Sequence, residues 1–154
     1  VVPFFNQCKA SGTLPITDER MTRFTITPLE AIEFVLSCLK KMWGGEIFVP
    51  KIPSYRILDL AQAIAPKAKL NFTGIRPGEK LHEEMITEND SLNCIEFEKL
   101  FVVLPSLNLW DPEKFRLESS NKVGQKCKFG FSYNSGSNSE FLTIQKLKNL
   151  IRKI

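Results

Sequence analysis

The chain has a single histidine, only four cysteines in 154 residues, and no glycine-rich phosphate loop, and each shortage closes off a class of function. His82 has no cysteine near it in sequence, and Cys8, Cys38, Cys94 and Cys127 are far apart with no C-x-x-C pair, which argues against a structural zinc site. An even cysteine count is compatible with two disulfides. A chain of this length with 43% hydrophobic residues, however, buries a core without them, and no signal peptide is expected before them. They read as reduced thiols of a cytoplasmic protein. No apolar run approaches the roughly 20 residues that a bilayer span needs, so no membrane crossing is expected. Only two tyrosines occur, Tyr55 and Tyr133, and neither has a lysine four residues on, so the Tyr-x-x-x-Lys pair of a dehydrogenase active site is missing. No G-x-G-x-x-G follows any expected strand, so the fingerprint of a dinucleotide fold is missing too.

Charge of one sign is also in short supply. The net charge is +4, and the basic residues are scattered apart from the closing Lys146, Lys148, Arg152 and Lys153. That balance suits an anionic ligand as well as nucleic acid. The chain opens on Val1-Val2-Pro3-Phe4-Phe5 without an initiator methionine and is read as a piece of a longer protein.

Along the chain, residues 3–10 predict a short helix opening on Pro3 and closed by Gly12, and Leu14–Thr17 an edge strand that tolerates Pro15. Met21–Ile26 is expected to be extended. The strongest helix is 28–42, where Thr27 and Glu30 form a T-x-x-E capping box and Ile32, Val35, Leu36, Leu39 and Met42 make an apolar stripe. Gly44-Gly45 stops it, and Glu46–Val49 reads as a strand. Ser54 is expected to cap a second helix with Ile57, Leu60, Ala61 and Ile64 on one face, broken by Pro66. Lys69–Ile75 predicts a strand that delivers Arg76, Gly78–Thr87 a short helix, and Ile95–Leu104 one or two strands. Residues 105–140, rich in Ser, Asn, Gly and Pro, predict an irregular excursion, and 141–154 a closing helix. Alternating helices and strands without repeats indicate an α/β or α+β lobe over 1–104, and α/β is the class assigned.

Two arginines sit where extended structure meets a turn, Arg23 in Met21-Thr22-Arg23-Phe24 and Arg76 in Arg76-Pro77-Gly78-Glu79. A guanidinium suits a diphosphate because its planar fork reaches two oxygens and keeps its charge when partly desolvated. By residue type alone the plainer reading of each is a surface arginine, or one paired to Glu79 or Asp18. Pro77 and Gly78 make a stiff turn that holds Arg76 at a fixed angle. Glu79 is open to orienting that arginine, binding a sugar hydroxyl, or favouring the N-terminus of the expected helix. His82-Glu83-Glu84-Met85 lacks the second histidine of H-E-x-x-H, and Trp43 and Trp110 read as core or interface.

Taken together, Val1–Phe5, Leu14-Pro15-Ile16-Thr17-Asp18-Glu19-Arg20-Met21-Thr22-Arg23-Phe24, Gly45–Ser54 and Gly74-Ile75-Arg76-Pro77-Gly78-Glu79-Lys80-Leu81-His82-Glu83 resemble the C-terminal half of inverting UDP-N-acetylglucosamine 4,6-dehydratases. These belong to the extended short-chain dehydrogenase/reductase superfamily and its polysaccharide-biosynthesis branch. The likeness runs to about residue 104 and resumes at Phe131–Asn138 and Leu142-Thr143, while 105–130 departs from it.

The resemblance implies a C-terminal substrate-binding lobe whose Rossmann part, with NADP and the catalytic Lys, Asp and Tyr, is missing. It implies that this chain holds no catalytic residue, cofactor or metal, and is inactive alone. The expected partner is a UDP-sugar, with no nucleic acid and no membrane, and with a homo-oligomeric full-length parent. Carried over by motif, Arg23 and Arg76 clamp the diphosphate, Thr17 lies along the uridine, Val1 lines the nucleotide pocket and Asn138 contacts substrate near the C-terminus. The implied reaction moves hydride from sugar C4 to NADP, loses water across C5–C6 and returns hydride to C6 with inversion at C5. This lobe's share is to align the sugar through remote binding energy. One of its faces is expected to pack on the absent domain and so expose an apolar patch. A non-catalytic UDP-sugar-binding or oligomerisation module, a related epimerase, and nucleic-acid binding through the basic last helix are the competing readings.

Overall fold

The computed structural model describes residues 1–107, 109–119 and 122–152. From the N-terminus its elements are α1 (Val2–Cys8), β1 (Thr13–Ile16), β2 (Thr22–Phe24), α2 (Pro28–Leu39), β3 (Ile47–Pro50), β4 (Ser54–Arg56), α3 (Ile57–Ile64) and β5 (Lys69–Phe72). There follow β6 (Glu84–Ile86), β7 (Cys94–Glu96), β8 (Leu100–Val103), α4 (Pro112–Glu118), β9 (Gln125–Lys126), β10 (Tyr133–Asn134) and α5 (Ile144–Ile151). The chain is mixed α/β and divides into two units, one of Val1–Thr25, Pro53–Glu83 and Asn134–Ile154, the other of Ile26–Ile52 and Glu84–Tyr133. This division interleaves the sequence rather than following it in blocks.

In the first unit β1 and β5 pair in parallel with Ile16 opposite Phe72, and β2 and β4 pair antiparallel with Arg23 opposite Tyr55. The expected edge strand is there, and Pro15 costs no ladder bond a central strand would need. Gly12 ends the first helical segment at φ 70°, a left-handed conformation that only glycine adopts freely. Helix α3 buries Ile57, Leu60, Ala61 and Ile64 as their spacing predicts, and packs on α5, whose Leu147 is buried. These residues join Phe5, Leu14, Ile16, Met21 and Tyr55 in one core. Each fully buried leucine here is worth about 2–5 kcal/mol against truncation to alanine.

Two expectations fail in this unit. Ser54 caps no helix. Its N–H donates to the Glu140 carbonyl at 2.9 Å and its carbonyl accepts from Leu142 N–H at 2.8 Å, so it lies extended and fully buried in β4. Nor is 78–87 helical; it is a turn, an extended stretch and then β6. A helix would need these backbone groups for itself, whereas here the Leu81 carbonyl accepts from Thr22 N–H and Glu83 exchanges two bonds with Ser135.

In the second unit β3, β8, β7 and β9 form an antiparallel sheet in that order. Its core is Ile95, Phe97, Leu100, Val102 and Phe115, flanked by Phe34, Phe48, Leu104 and Trp110. Phe115 comes from α4, which Asp111 caps by accepting from Glu113 N–H, so the stretch 105–140 is not irregular throughout. A seven-residue helix set among Ser, Asn and Pro carries too short a period to be read. Trp43 and Trp110 pack as expected: Trp110 stacks on Phe115 at 4.7 Å while its indole N–H donates to the Gly44 carbonyl.

Helix α2 forms where its capping box places it, with Thr27 and Glu30 bonded reciprocally. Its apolar stripe, however, faces outward: Val35 is 56% exposed and Leu39 60%, and α2 buries none of its residues. The local signals that start a helix say nothing about which surface will cover it.

Candidate functional site

Because β1 and β5 run in parallel, the loops that follow them emerge at the same end of the pair. Thr73 N–H donates to the Ile16 carbonyl at 2.9 Å and extends the ladder one step beyond the strands. After β1 come Thr17, Asp18, Glu19 and Arg20; after β5 come Thr73, Gly74, Ile75 and Arg76. A concavity of about 460 Å³ lies there, lined by Thr17, Asp18, Glu19, Arg20, Phe72 and Gly74. The carboxyl end of parallel strands is where open α/β sheets usually take ligands, since loop backbone and side chains converge there.

Arg76 stands at the first position of a tight turn. The Glu79 N–H donates to the Arg76 carbonyl at 3.0 Å, with Pro77 and Gly78 between them and Gly78 at φ 81°. Proline followed by a glycine of positive φ is the type II pattern, and an l-residue in Gly78's place would be strained. Glu79 adds a second clasp by accepting from Arg76 N–H at 3.2 Å. Its role is therefore to close the turn, since no helix follows it. The Arg76 side chain is exposed and forms no ion pair among the described residues.

Arg23 is placed very differently. Its side chain is only 17% exposed, and each guanidinium nitrogen has a partner. Nε faces the Glu83 carboxylate at 3.2 Å, one terminal nitrogen donates to the Thr22 and Leu81 carbonyls, and the other to the Lys80 carbonyl and the Met21 sulfur. It thus ties β2 to residues 80–83, the continuation of the Arg76 turn. Asp18 pairs with neither of these arginines. It takes Arg20 in a bidentate grip, 3.0 Å from Nε and 2.8 Å from the other nitrogen, and accepts Arg20 N–H as well. Those bonds hold the Asp18 carboxyl down to about 2.

Beside this, Thr22 Oγ1 lies 2.8 Å from His82 Nδ1 and 2.7 Å from Ser135 Oγ, and Ser135 Oγ accepts from Glu83 N–H at 2.9 Å. A methyl group on Gly136 would sit 2.6 Å from the His82 ring. The histidine is a buttress between three segments, and no group of three or more His, Cys, Asp or Glu side chains able to hold a metal occurs among the described residues. Val1 is exposed, and its carbonyl accepts from Phe5 N–H in the first turn of α1. Asn138 donates through its amide to Ser54 Oγ at 2.9 Å and to the Glu140 carbonyl at 3.2 Å. Of the five residues expected to meet a ligand, then, Thr17 lines the concavity, and Arg76 stands in the loop after β5 without lining it. Arg23 braces the same loop from behind, and Asn138 serves β4. The part played by Ser135 had no signal in the sequence, because a lone serine in a Ser- and Asn-rich stretch looks like any loop residue.

Residues 1–105 match the family model described as "Polysaccharide biosynthesis protein". The UDP-N-acetylglucosamine 4,6-dehydratase (inverting) of Campylobacter jejuni subsp. jejuni serotype O:23/36 is 47% identical over 98% of this chain and 46% of its own length. The UDP-glucose 4-epimerase of Rickettsia canadensis is 28% identical over 98% of this chain and 44% of that protein. Among solved structures, the X-ray structure of Pen from Bacillus thuringiensis superposes with a TM-score of 0.77 at 27% identity, covering 99% of this chain and 45% of that one. The chain thus spans less than half the length of these relatives.

Proposed function

The chain belongs to the polysaccharide biosynthesis protein family, and from that premise we propose that it is the UDP-sugar-holding part of an inverting UDP-N-acetylglucosamine 4,6-dehydratase. The observation that carries this reading is Arg76, exposed and without an ion pair among the described residues, its backbone held by a proline–glycine turn in the loop that follows β5. A diphosphate favours such an uncommitted fork, since an arginine already engaged elsewhere would have to give up bonds to bind it. Thr17, in the loop that follows β1, offers a hydroxyl and backbone groups to the nucleoside. Arg23, with each nitrogen engaged, positions the loop and reaches the diphosphate only by releasing a carbonyl. Val1 and Asn138 stand further down: Val1 as a wall of the nucleotide pocket, Asn138 as a contact made through its bond to Ser54.

The sequence holds no G-x-G-x-x-G turn and no Tyr-x-x-x-Lys pair. No NADP contact or catalytic role is therefore assigned to this chain, and the reaction belongs to a longer, homo-oligomeric, cytoplasmic protein. The chain alone is inactive and serves by aligning the sugar, turning binding energy on the diphosphate into orientation at a distant reacting carbon. The similarity to UDP-glucose 4-epimerases supports a second reading, a UDP-sugar epimerase, in which the same nucleotide grip serves a different chemistry. Calorimetric titration of the folded chain with UDP, UDP-N-acetylglucosamine and NADP tests the shared part. Binding of the first two but not the third is expected, and tight NADP binding would overturn the assignment. Product analysis on the longer protein, a 4-keto-6-deoxy sugar against an epimerised one, separates the two chemistries.

A further inference from the structure

Cys94 and Cys127 are 33 positions apart in sequence and face each other in space. Strands β7 and β9 pair with Ile95 opposite Lys126 and Glu96 opposite Gln125, and the next step of that register sets Cys94 opposite Cys127. The ladder continues to that step, since Cys127 N–H donates to the Cys94 carbonyl at 2.9 Å. Residues directly opposite on an antiparallel pair put their side chains on one face at about the spacing a disulfide spans. Both thiols are free.

We propose that Cys94 and Cys127 are a redox-active dithiol that closes to a cross-strand disulfide when the protein meets a hydroperoxide. The two sulfurs have distinct duties. Cys94 is buried, and its thiol is pushed up by the hydrogen bond to Cys127 and by desolvation, so it keeps its proton. Cys127 is half-buried. Its thiol is held below the usual range, first by the bond it accepts from Cys94 and also by the charge of Lys51. Cys127 is therefore the sulfur that attacks. Its thiolate takes one oxygen of the peroxide, the O–O bond breaks, and the departing alkoxide picks up the proton that Cys127 lost. The Cys94 sulfur then displaces hydroxide from the Cys127 sulfenic acid, and that hydroxide leaves as water with the Cys94 proton. In sum, two thiols and one hydroperoxide give one disulfide, one alcohol and one water. The bond would add a covalent staple to the β7–β9 ladder.

The test uses the whole native chain, reduced, desalted and exposed to hydrogen peroxide. On closure the intact chain loses about 2 Da, the mass of two hydrogens. Free thiols fall from four to two, and a non-reducing digest yields one peptide pair joined through Cys94 and Cys127, with Cys8 and Cys38 still open to alkylation. A thiol count that stays at four, oxidation spread evenly over the cysteines, or links only between chains would overturn the proposal. A Cys94→Ser variant supplies a second readout: the serine hydroxyl keeps a donor beside Cys127 but cannot resolve it, so the sulfenic acid on Cys127 persists and is captured by a dione probe. Capture at Cys8 or Cys38 instead would count against the assigned order of attack.

Discussion

Replacing Arg76 and Arg23 by alanine, one at a time, asks the two arginines to show whether they bind or brace. Arg76 is exposed and engages the fold through its backbone alone, so Arg76→Ala is expected to change stability by no more than about 0.5 kcal/mol, as for other surface positions. Losing a charge-assisted grip on phosphate costs about 1.5–3 kcal/mol of binding, which is roughly a 10- to 150-fold weaker Kd for UDP. Arg23→Ala inverts the pattern. Its ion pair adds little, since Glu83 is 47% exposed and water screens it. The larger loss is its bonds to the Thr22, Lys80 and Leu81 carbonyls, for an expected destabilisation of about 1–3 kcal/mol. Urea unfolding gives the first quantity, and calorimetry with UDP, on this chain and on the longer protein, gives the second. An Arg76→Ala protein that unfolds early yet binds UDP normally would refute the division of labour.

Three other outcomes follow from the same contacts. Gly136→Ala forces a methyl into the His82 ring, which Thr22 holds in place, and should lower the urea midpoint by the equivalent of about 1–3 kcal/mol; a midpoint equal to the native one would show that the ring moves aside freely. The outward apolar stripe of α2 predicts concentration-dependent self-association in sedimentation velocity, relieved by Val35→Glu with Leu39→Lys, whereas monomeric behaviour of the unsubstituted chain at high concentration would remove that reading. Asp18 titrates at about 2 in the folded chain against an ordinary 3.8, so its contribution is complete above the ordinary value and lost as pH falls toward 2. An Asp18→Asn chain should accordingly show a flatter acid limb in pH-dependent unfolding, and an unchanged slope would mean that the Arg20 grip persists when unfolded.

What the sequence made legible was what short-range chemistry decides. Pro3, the Thr27–Glu30 box, the 57–64 stripe and the Pro77-Gly78 turn each act within four or five residues, and each forms as read. The misreadings are the places where a distant segment took over the backbone. Ser54 looked like a cap until Glu140 and Leu142 claimed both its peptide groups, and 78–87 looked helical until Thr22, Arg23 and Ser135 did the same. Of the candidate site, the turn that carries Arg76 could be read in advance. The full engagement of Arg23 could not, because three of its partners are carbonyls that no side-chain pattern records. The meeting of Cys94 with Cys127 was hidden for a related reason, since only the β7–β9 register reveals it.

The most direct measurement is an amide NMR titration of the labelled chain with UDP, because it reports where the nucleotide sits as well as whether it binds. The proposed site predicts shifts concentrated at Thr17–Arg20 and at Thr73, Gly74, Arg76 and Gly78. Shifts confined to Ile26–Ile52 and Glu84–Tyr133 would contradict it.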